Sequence, residues 1–289
     1  MSRGIQVIEP GPLALVQDLG RRGHLAVGVG RAGAADVSSY LIGGRLLGNP
    51  AGLGALEATF GGLRLRARGD LLVCLTGARA PAEVDGRAAP YAAPFTVRDG
   101  QELCLGMPLS GLRTYVSFRG GLAVPEILGS RATDTMSGLG PEPLRQGQVL
   151  EVGAAWDDFP HVDLAPLPSP PSGPVELAVL PGPRQDWFAR PQRLAECEWS
   201  VSGRSDRKGI RLDGEPIERH AAWRDVELPS EGMVRGAIQV PPNGLPVLFL
   251  NDHPVTGGYP VIGVVRTADV DRAAQLQPGQ KLRFRWERR

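Results

Sequence analysis

The chain has 289 residues, 42% of them hydrophobic and 22% charged, a length that favours two domains on the usual size of roughly 100–200 residues and a composition that does not fit a disordered tail. Thirty-two Lys and Arg against 31 Asp and Glu leave a net charge of +1, so the basic footprint of a nucleic-acid binder is missing. No apolar run approaches the roughly 18 residues of a spanning helix, and Met1 to Gln6 lack the apolar stretch of a secretory signal; no membrane partner and a cytoplasmic location are expected.

The first polar cluster is Gln17-Asp18-Leu19-Gly20-Arg21-Arg22-Gly23-His24. It is either a solvated turn or a set of substrate contacts held on a glycine-flanked loop. Gly28-Val29-Gly30-Arg31-Ala32-Gly33 then matches GxGxxG, with Glu57 downstream at the spacing of a ribose contact. The strands that follow are too closely spaced for strand–helix–strand crossovers, so the glycines read instead as a close backbone approach. Asp36 caps an expected helix whose Val37, Tyr40, Leu41 and Leu47 share a face, with Gly48-Asn49-Pro50 stopping it.

Leu63-Arg64-Leu65-Arg66 alternates at period two, whereas Leu71 to Leu75 is continuously apolar and reads as a buried strand. Phe95-Thr96-Val97 and Leu103-Cys104-Leu105 are expected to pair as a hairpin across Asp99-Gly100. Thr114–Phe118 and Val149–Val152 add strands. The cysteines, Cys74, Cys104 and Cys197, are odd in number and lack CxxC spacing, which points to buried thiols rather than disulfides, and no metal site is expected.

From Gly153 to Pro174 the composition shifts: Asp157-Asp158 precedes prolines at 160, 166, 168, 170, 171 and 174. We therefore expect a first domain over 1–160, a Pro-rich linker over 161–174 and a second domain over 175–289. The second half reads as strands at 175–180, 198–201, 236–240, 246–250 and 281–286, with a short helix at 269–276. The fold class is mainly β: two barrel-like or sandwich-like domains with a few short helices.

Ser202 to Gly209 is the densest polar run of the second half, and its Asp206 and Arg207 could hold an anionic group or merely form a charged turn. Asn251 to Pro260 follows the most apolar strand. There Asp252 is placed to orient His253 for acid–base work, followed by Thr256, Gly257, Gly258 and Tyr259 as donors. There is no GxxxxGK[ST], HExxH or GxSxG, and neither Lys208 nor Lys281 sits in a Met-Lys-Met context. ATP or biotin, if used, must be supplied by another chain.

These segments resemble one family along nearly the whole chain: the biotin-dependent carboxyltransferase-like family of allophanate hydrolase and urea amidolyase second subunits, the C-type subunit of 5-oxoprolinase and the kinase-inhibitor antagonist KipA. The resemblance rests on Val16–Arg21, Gly33–Asp36, Leu47–Pro50, Leu56–Thr59, Gly120–Leu122, Leu128–Asp134, Leu180–Pro183, Ser205–Arg207, Gly236–Pro241 and Thr256–Pro260. It implies two cyclophilin-like β-barrel domains and a first-subunit partner chain of the allophanate hydrolase subunit 1 or KipI type. Of the activities it implies, ATP-dependent opening of 5-oxoproline to glutamate comes first, with a LamB/YcsF-type subunit as a further partner and ATP used at the level of the complex. Biotin-dependent carboxyl transfer and non-catalytic antagonism are the alternatives. The expected site takes Arg207, Asp252 and His253 as catalytic, and Gln17, Asp18, His24, Asp36, Asp206, Gln239, Thr256, Gly257, Gly258 and Tyr259 as substrate contacts on a small amide. Lys208, in place of the apolar residue usual after Ser-Asp-Arg, and Pro254-Val255 depart from the family pattern.

Overall fold

The computed structural model describes residues 3–155, 159–160 and 162–287; Asp157, Asp158 and His161, which open the Pro-rich stretch, lie outside the described residues. The chain divides into two compact units: Met1–Arg22, Ala32–Asp134 and Gly138–Pro170 form unit 1, and Gly23–Arg31, Thr135–Ser137 and Pro171–Arg289 form unit 2.

Unit 1 comprises β1 (Gly4–Pro10), β2 (Leu13–Gln17), α1 (Val37–Leu46), β3 (Ala55–Thr59), β4 (Leu63–Arg68), β5 (Leu71–Gly77), β6 (Ala82–Val84), β7 (Arg87–Ala88), β8 (Phe95–Val97), β9 (Glu102–Leu105), β10 (Arg113–Phe118) and β11 (Val149–Glu151). These build one sheet in the order β11-β1-β4-β9-β6-β7 and another in the order β2-β3-β10-β5-β8. Ile5, Val7, Leu63 and Leu65 from the first sheet share a core with Val16, Leu56, Val73 and Val116 from the second. The alternation in β4 does what its period requires: Leu63, Leu65 and Ala67 are buried, while Arg64 and Arg66 point outward to pair with Glu102 at 2.8 and 2.6 Å.

Alternation is lost in β5 and β10 because both faces are covered. Leu71, Val73 and Leu75 face the common core, and on the other face Cys74 packs with Leu46 and Leu47 at the end of α1. In β10 Val116 and Phe118 face the core while Tyr115 packs with Tyr40 of α1. The helix itself starts where expected, Asp36 accepting from the Ser39 amide at 3.0 Å.

Two expectations are corrected. β8 pairs with β5 and β9 with β4 and β6, so the two strands lie in different sheets rather than in one hairpin. The turn at Asp99-Gly100 is present, but Val97 and Leu103 reach the same core from opposite sides, so the chain changes sheet there. Cys104 is half-buried rather than buried, because it points away from that core between Leu103 and Leu105.

Unit 2 comprises β12 (Val175–Pro181), α2 (Arg193–Glu196), β13 (Trp199–Val201), β14 (Gly209–Asp213), β15 (Glu231–Gly232), β16 (Ala237–Gln239), β17 (Val247–Phe249), β18 (Thr256–Gly257), β19 (Val261–Val265), α3 (Thr267–Ala273) and β20 (Lys281–Trp286). Seven strands close into a barrel in the order β12-β19-β16-β17-β14-β13-β20, which leaves no open edge. Leu282 and Phe284 of β20 are buried between exposed Lys281, Arg283 and Arg285, as a barrel wall requires. β15 and β18 form a separate two-stranded ribbon. Among the described residues no helix is long and apolar enough to cross a membrane.

Candidate functional site

In unit 1, β2 delivers Gln17 and Asp18 to a loop that is cross-braced to residues 127–133. Asp18 is 3% exposed, and its carboxylate accepts from Gly20 N at 2.7 Å, Ser130 Oγ at 2.7 Å and Arg131 N at 2.6 Å. Gln17 Nε2 donates to Thr133 O at 3.0 Å. Its Oε1 is buried with no hydrogen-bond partner among the described residues. Arg21 donates from Nε to Ile127 O at 3.2 Å and from Nη2 to Ala132 O. A solvated turn does not fit side chains so thoroughly buried; Gln17, Asp18 and Arg21 position backbone rather than face water.

Asp36 is also turned inward: it caps α1, and its amide donates to Tyr115 Oη at 2.8 Å. That hydroxyl donates in turn to Glu57 Oε2 at 2.7 Å, which also accepts from the Ala35 amide at 2.9 Å. Burial beside the Glu57 and Asp36 carboxylates pushes the Tyr115 phenol well above its ordinary pKa, so it stays protonated as the donor. Glu57 thus anchors the approach to α1. Gly33 has φ +89°, and a Cβ there would lie 2.7 Å from Gly20 N, so the glycine run serves a close approach of backbones. The helix that follows joins β2 to β3, which are antiparallel neighbours rather than the parallel strands of a dinucleotide fold.

In unit 2, Arg207 precedes β14 and Asp252 follows β17, so the barrel ladder holds them side by side. The Asp252 amide donates to Arg207 O at 3.2 Å. Their side chains form a two-pronged ion pair, Nε to Oδ2 and Nη2 to Oδ1 both at 3.0 Å, with side-chain exposures of 2% and 0%. Thr135, part of this unit, donates to Asp252 Oδ2 from its amide at 3.0 Å and its hydroxyl at 2.7 Å.

The Asp252 carboxylate is therefore turned to Arg207 and Thr135, and it does not orient His253. His253 Nδ1 lies 2.8 Å from Pro254 O, and its ring stacks on Phe249 at 5.9 Å. Because a carbonyl oxygen only accepts, this contact places the proton on Nδ1 and leaves Nε2 as the lone-pair nitrogen of the neutral ring. Asp206 shapes the preceding turn, accepting from the Lys208 amide at 2.8 Å and the Gly209 amide at 3.1 Å.

Gln239 is buried in the barrel wall, and its Nε2 donates to Tyr259 O at 3.0 Å. Thr256, Gly258 and Tyr259 are exposed around the β18 ribbon, with Gly257 beside them half-buried. His24, half-buried, starts the 3-10 turn Leu25–Val27 through its carbonyl rather than its ring. The side chains that sequence reasoning left out are Ser130, Thr135, Glu57 and Tyr115. Ser130 lies inside the Leu128–Asp134 motif and Thr135 directly after it, so that motif is the signal that marks both.

Two clefts are lined by other residues: one in unit 1 beside α1, and one in unit 2 at Arg190, Arg193, Glu215 and Glu218, where both arginines are paired with glutamates. Among the described residues no group of three or more His, Cys, Asp or Glu is placed to hold a metal ion.

Comparison with known proteins gives a match of residues 27–286 to the family described as carboxyltransferase domain, subdomain A and B. The chain is 34% identical to the C-type subunit of 5-oxoprolinase from Escherichia coli strain K12, over 97% of this chain and 90% of that protein. It is 30% identical to the C-type subunit of 5-oxoprolinase from Haemophilus influenzae, with the same coverages of 97% and 90%. Among solved structures, the Kluyveromyces lactis urea amidolyase superposes with a TM-score of 0.90 at 29% identity, over 97% of this chain and 18% of that one. The chain spans about half the length, 55%, of another solved neighbour that it matches.

Proposed function

The chain belongs to the carboxyltransferase family of subdomains A and B, and from that premise we propose that it is a C-type subunit of a 5-oxoprolinase, working with partner subunits to open the 5-oxoproline lactam to glutamate at the expense of ATP. The observation that carries this reading is the likeness to the Escherichia coli protein from end to end, where urea amidolyase matches only as a small part of a longer chain.

An unstrained lactam opens only when its carbonyl oxygen or its leaving nitrogen is assisted. In unit 2 the Arg207–Asp252–Thr135 cluster pins the residues before β14 and after β17. On that support Thr256 and Tyr259 present hydroxyls and Gly258 an exposed backbone, donors suited to a substrate carboxylate and lactam oxygen. His253, with Nε2 as its basic nitrogen, exchanges a proton with water or the leaving amine. Arg207 acts here by positioning, since two of its guanidinium nitrogens are engaged by Asp252. The Gly28–Gly33 run is not shaped as a phosphate cradle, because Gly33 is packed on Gly20; no ATP step is assigned to this chain. A chain of the first-subunit type and a LamB/YcsF-type subunit are the proposed partners.

The test is ATP-dependent glutamate release by the chain co-purified with those neighbours, with His253→Gln, Thr256→Val and Tyr259→Phe compared in the intact complex. A loss of about tenfold or more for His253→Gln, the lower range for a general acid–base group, supports the site. Unchanged turnover in all three sinks it, and no glutamate release from any combination of subunits overturns the function. The second reading, carboxyl transfer from a partner's biotin to an amide nitrogen, draws on the urea amidolyase likeness; transfer of labelled bicarbonate to urea would reveal it.

A further inference from the structure

Within unit 1, α1, the residues that follow it and β10 enclose a cleft of about 100 Å³. A water needs only about 10–15 Å³ of such space, so the cleft admits several waters or an organic molecule of roughly six heavy atoms. Its wall is mostly apolar, from Tyr40, Leu41, Pro50 and Leu53, with two polar exceptions, Arg45 and Ser117. None of the residues assigned to the reaction lines it.

Ser117 is 2% exposed, and its hydroxyl has no hydrogen-bond partner among the described residues. A buried hydroxyl left in this state carries a desolvation penalty that a bound polar atom would remove. Arg45 is exposed in the last turn of α1, and among the described residues its guanidinium makes no ion pair or hydrogen bond. An apolar wall with a few convergent polar groups is the usual form of a small-molecule site, and a planar guanidinium fork selects carboxylate.

We propose that this cleft binds a small branched organic carboxylate, its aliphatic body against Tyr40, Leu41, Pro50 and Leu53 and its carboxylate shared between the Arg45 guanidinium and the Ser117 hydroxyl. The proposal stands apart from the reaction assigned above, because it needs only this unit's own residues. Titration of the full chain with isobutyrate and with its neutral isostere isobutyramide, followed by amide resonances, tests it. Saturable shifts at Gly44, Gly54 and Ser117 are expected, with isobutyrate about tenfold tighter than isobutyramide, the worth of one charge-assisted hydrogen bond. Arg45→Gln, at an exposed position that does not threaten folding, should abolish that preference, and Ser117→Ala should weaken both ligands severalfold. Absence of saturable shifts up to tens of millimolar, equal binding of acid and amide, or binding indifferent to both variants would overturn it.

Discussion

Asp252 shows how much a single carboxylate depends on its partners. Its side chain is fully buried and its charge is met by Arg207 and Thr135, so removing one partner leaves the other charge stranded away from water. Arg207→Ala should therefore cost about 3–5 kcal/mol of stability, a large part of the roughly 5–15 kcal/mol available to a domain. Arg207→Met with Asp252→Leu should recover most of that loss, because the buried charge goes with its partner. Urea denaturation of the three proteins decides this, and a single variant as stable as the parent would refute the buried-pair reading. Cys74 offers a second test at this scale. Burial pushes its thiol up to about 12, and since the thiolate is the reactive form, only about one molecule in ten thousand carries it at pH 8. A thiol reagent at that pH should label at most Cys104 and Cys197 in the native chain and reach Cys74 only on unfolding; three rapid equivalents would contradict it.

Among the elements, α1 carries two adjacent glycines with opposite roles. A Cβ on Gly43 would lie 2.6 Å from Ser117 Oγ and 3.1 Å from Thr76 Oγ1, whereas one on Gly44 meets only Asn49 Cβ at 3.9 Å. Gly44→Ala should accordingly raise stability by about 0.5–1 kcal/mol through helix propensity alone. Gly43→Ala should lower it, because the sheet beneath must give way. The same helix loses about 1 kcal/mol if Asp36→Ala removes its cap, and thermal unfolding of the three variants ranks them. A sequence reader finds the Asp36 cap readily, since Asp before an apolar-periodic run is a local signal. The helix face is less legible: Tyr40, Gly43 and Leu46 are the buried positions, and a glycine gives hydropathy patterns nothing to mark. β8 and β9 make the same point for strands, since each has the right residues for pairing and their assignment to different sheets depends on β4 and β5.

For the whole molecule the relevant fact is that unit 2 draws Gly23–Arg31 and Thr135–Ser137 from earlier in the chain. A fragment beginning at Pro171 contains every strand of the barrel yet lacks the two Thr135 donors to Asp252. It should fold less stably and less cooperatively than the barrel within the full chain, as measured by circular dichroism against denaturant. An equally stable fragment would show those segments to be dispensable. The proposed activity also belongs to this scale, for a chain with donor-rich loops and no nucleotide or biotinyl-lysine motif needs other subunits. Co-elution with its co-expressed neighbours is the expected outcome, and separate elution at micromolar concentrations would count against it.

What the amino-acid sequence by itself determined is what short-range pattern can carry. The mainly β character, the alternation of β4 and β20, the Asp36 cap and the family motifs all reside in windows of a few residues, where side-chain period and backbone preference act directly. The tertiary structure alone decided which polar groups meet. Asp18 finds Ser130 at a separation of 112 residues and Asp252 finds Thr135 at 117, so no local window contains both partners. Asp252 and His253 are neighbours in sequence yet turn to different partners, because adjacent side chains leave the backbone in different directions and the closed barrel sets what each one meets.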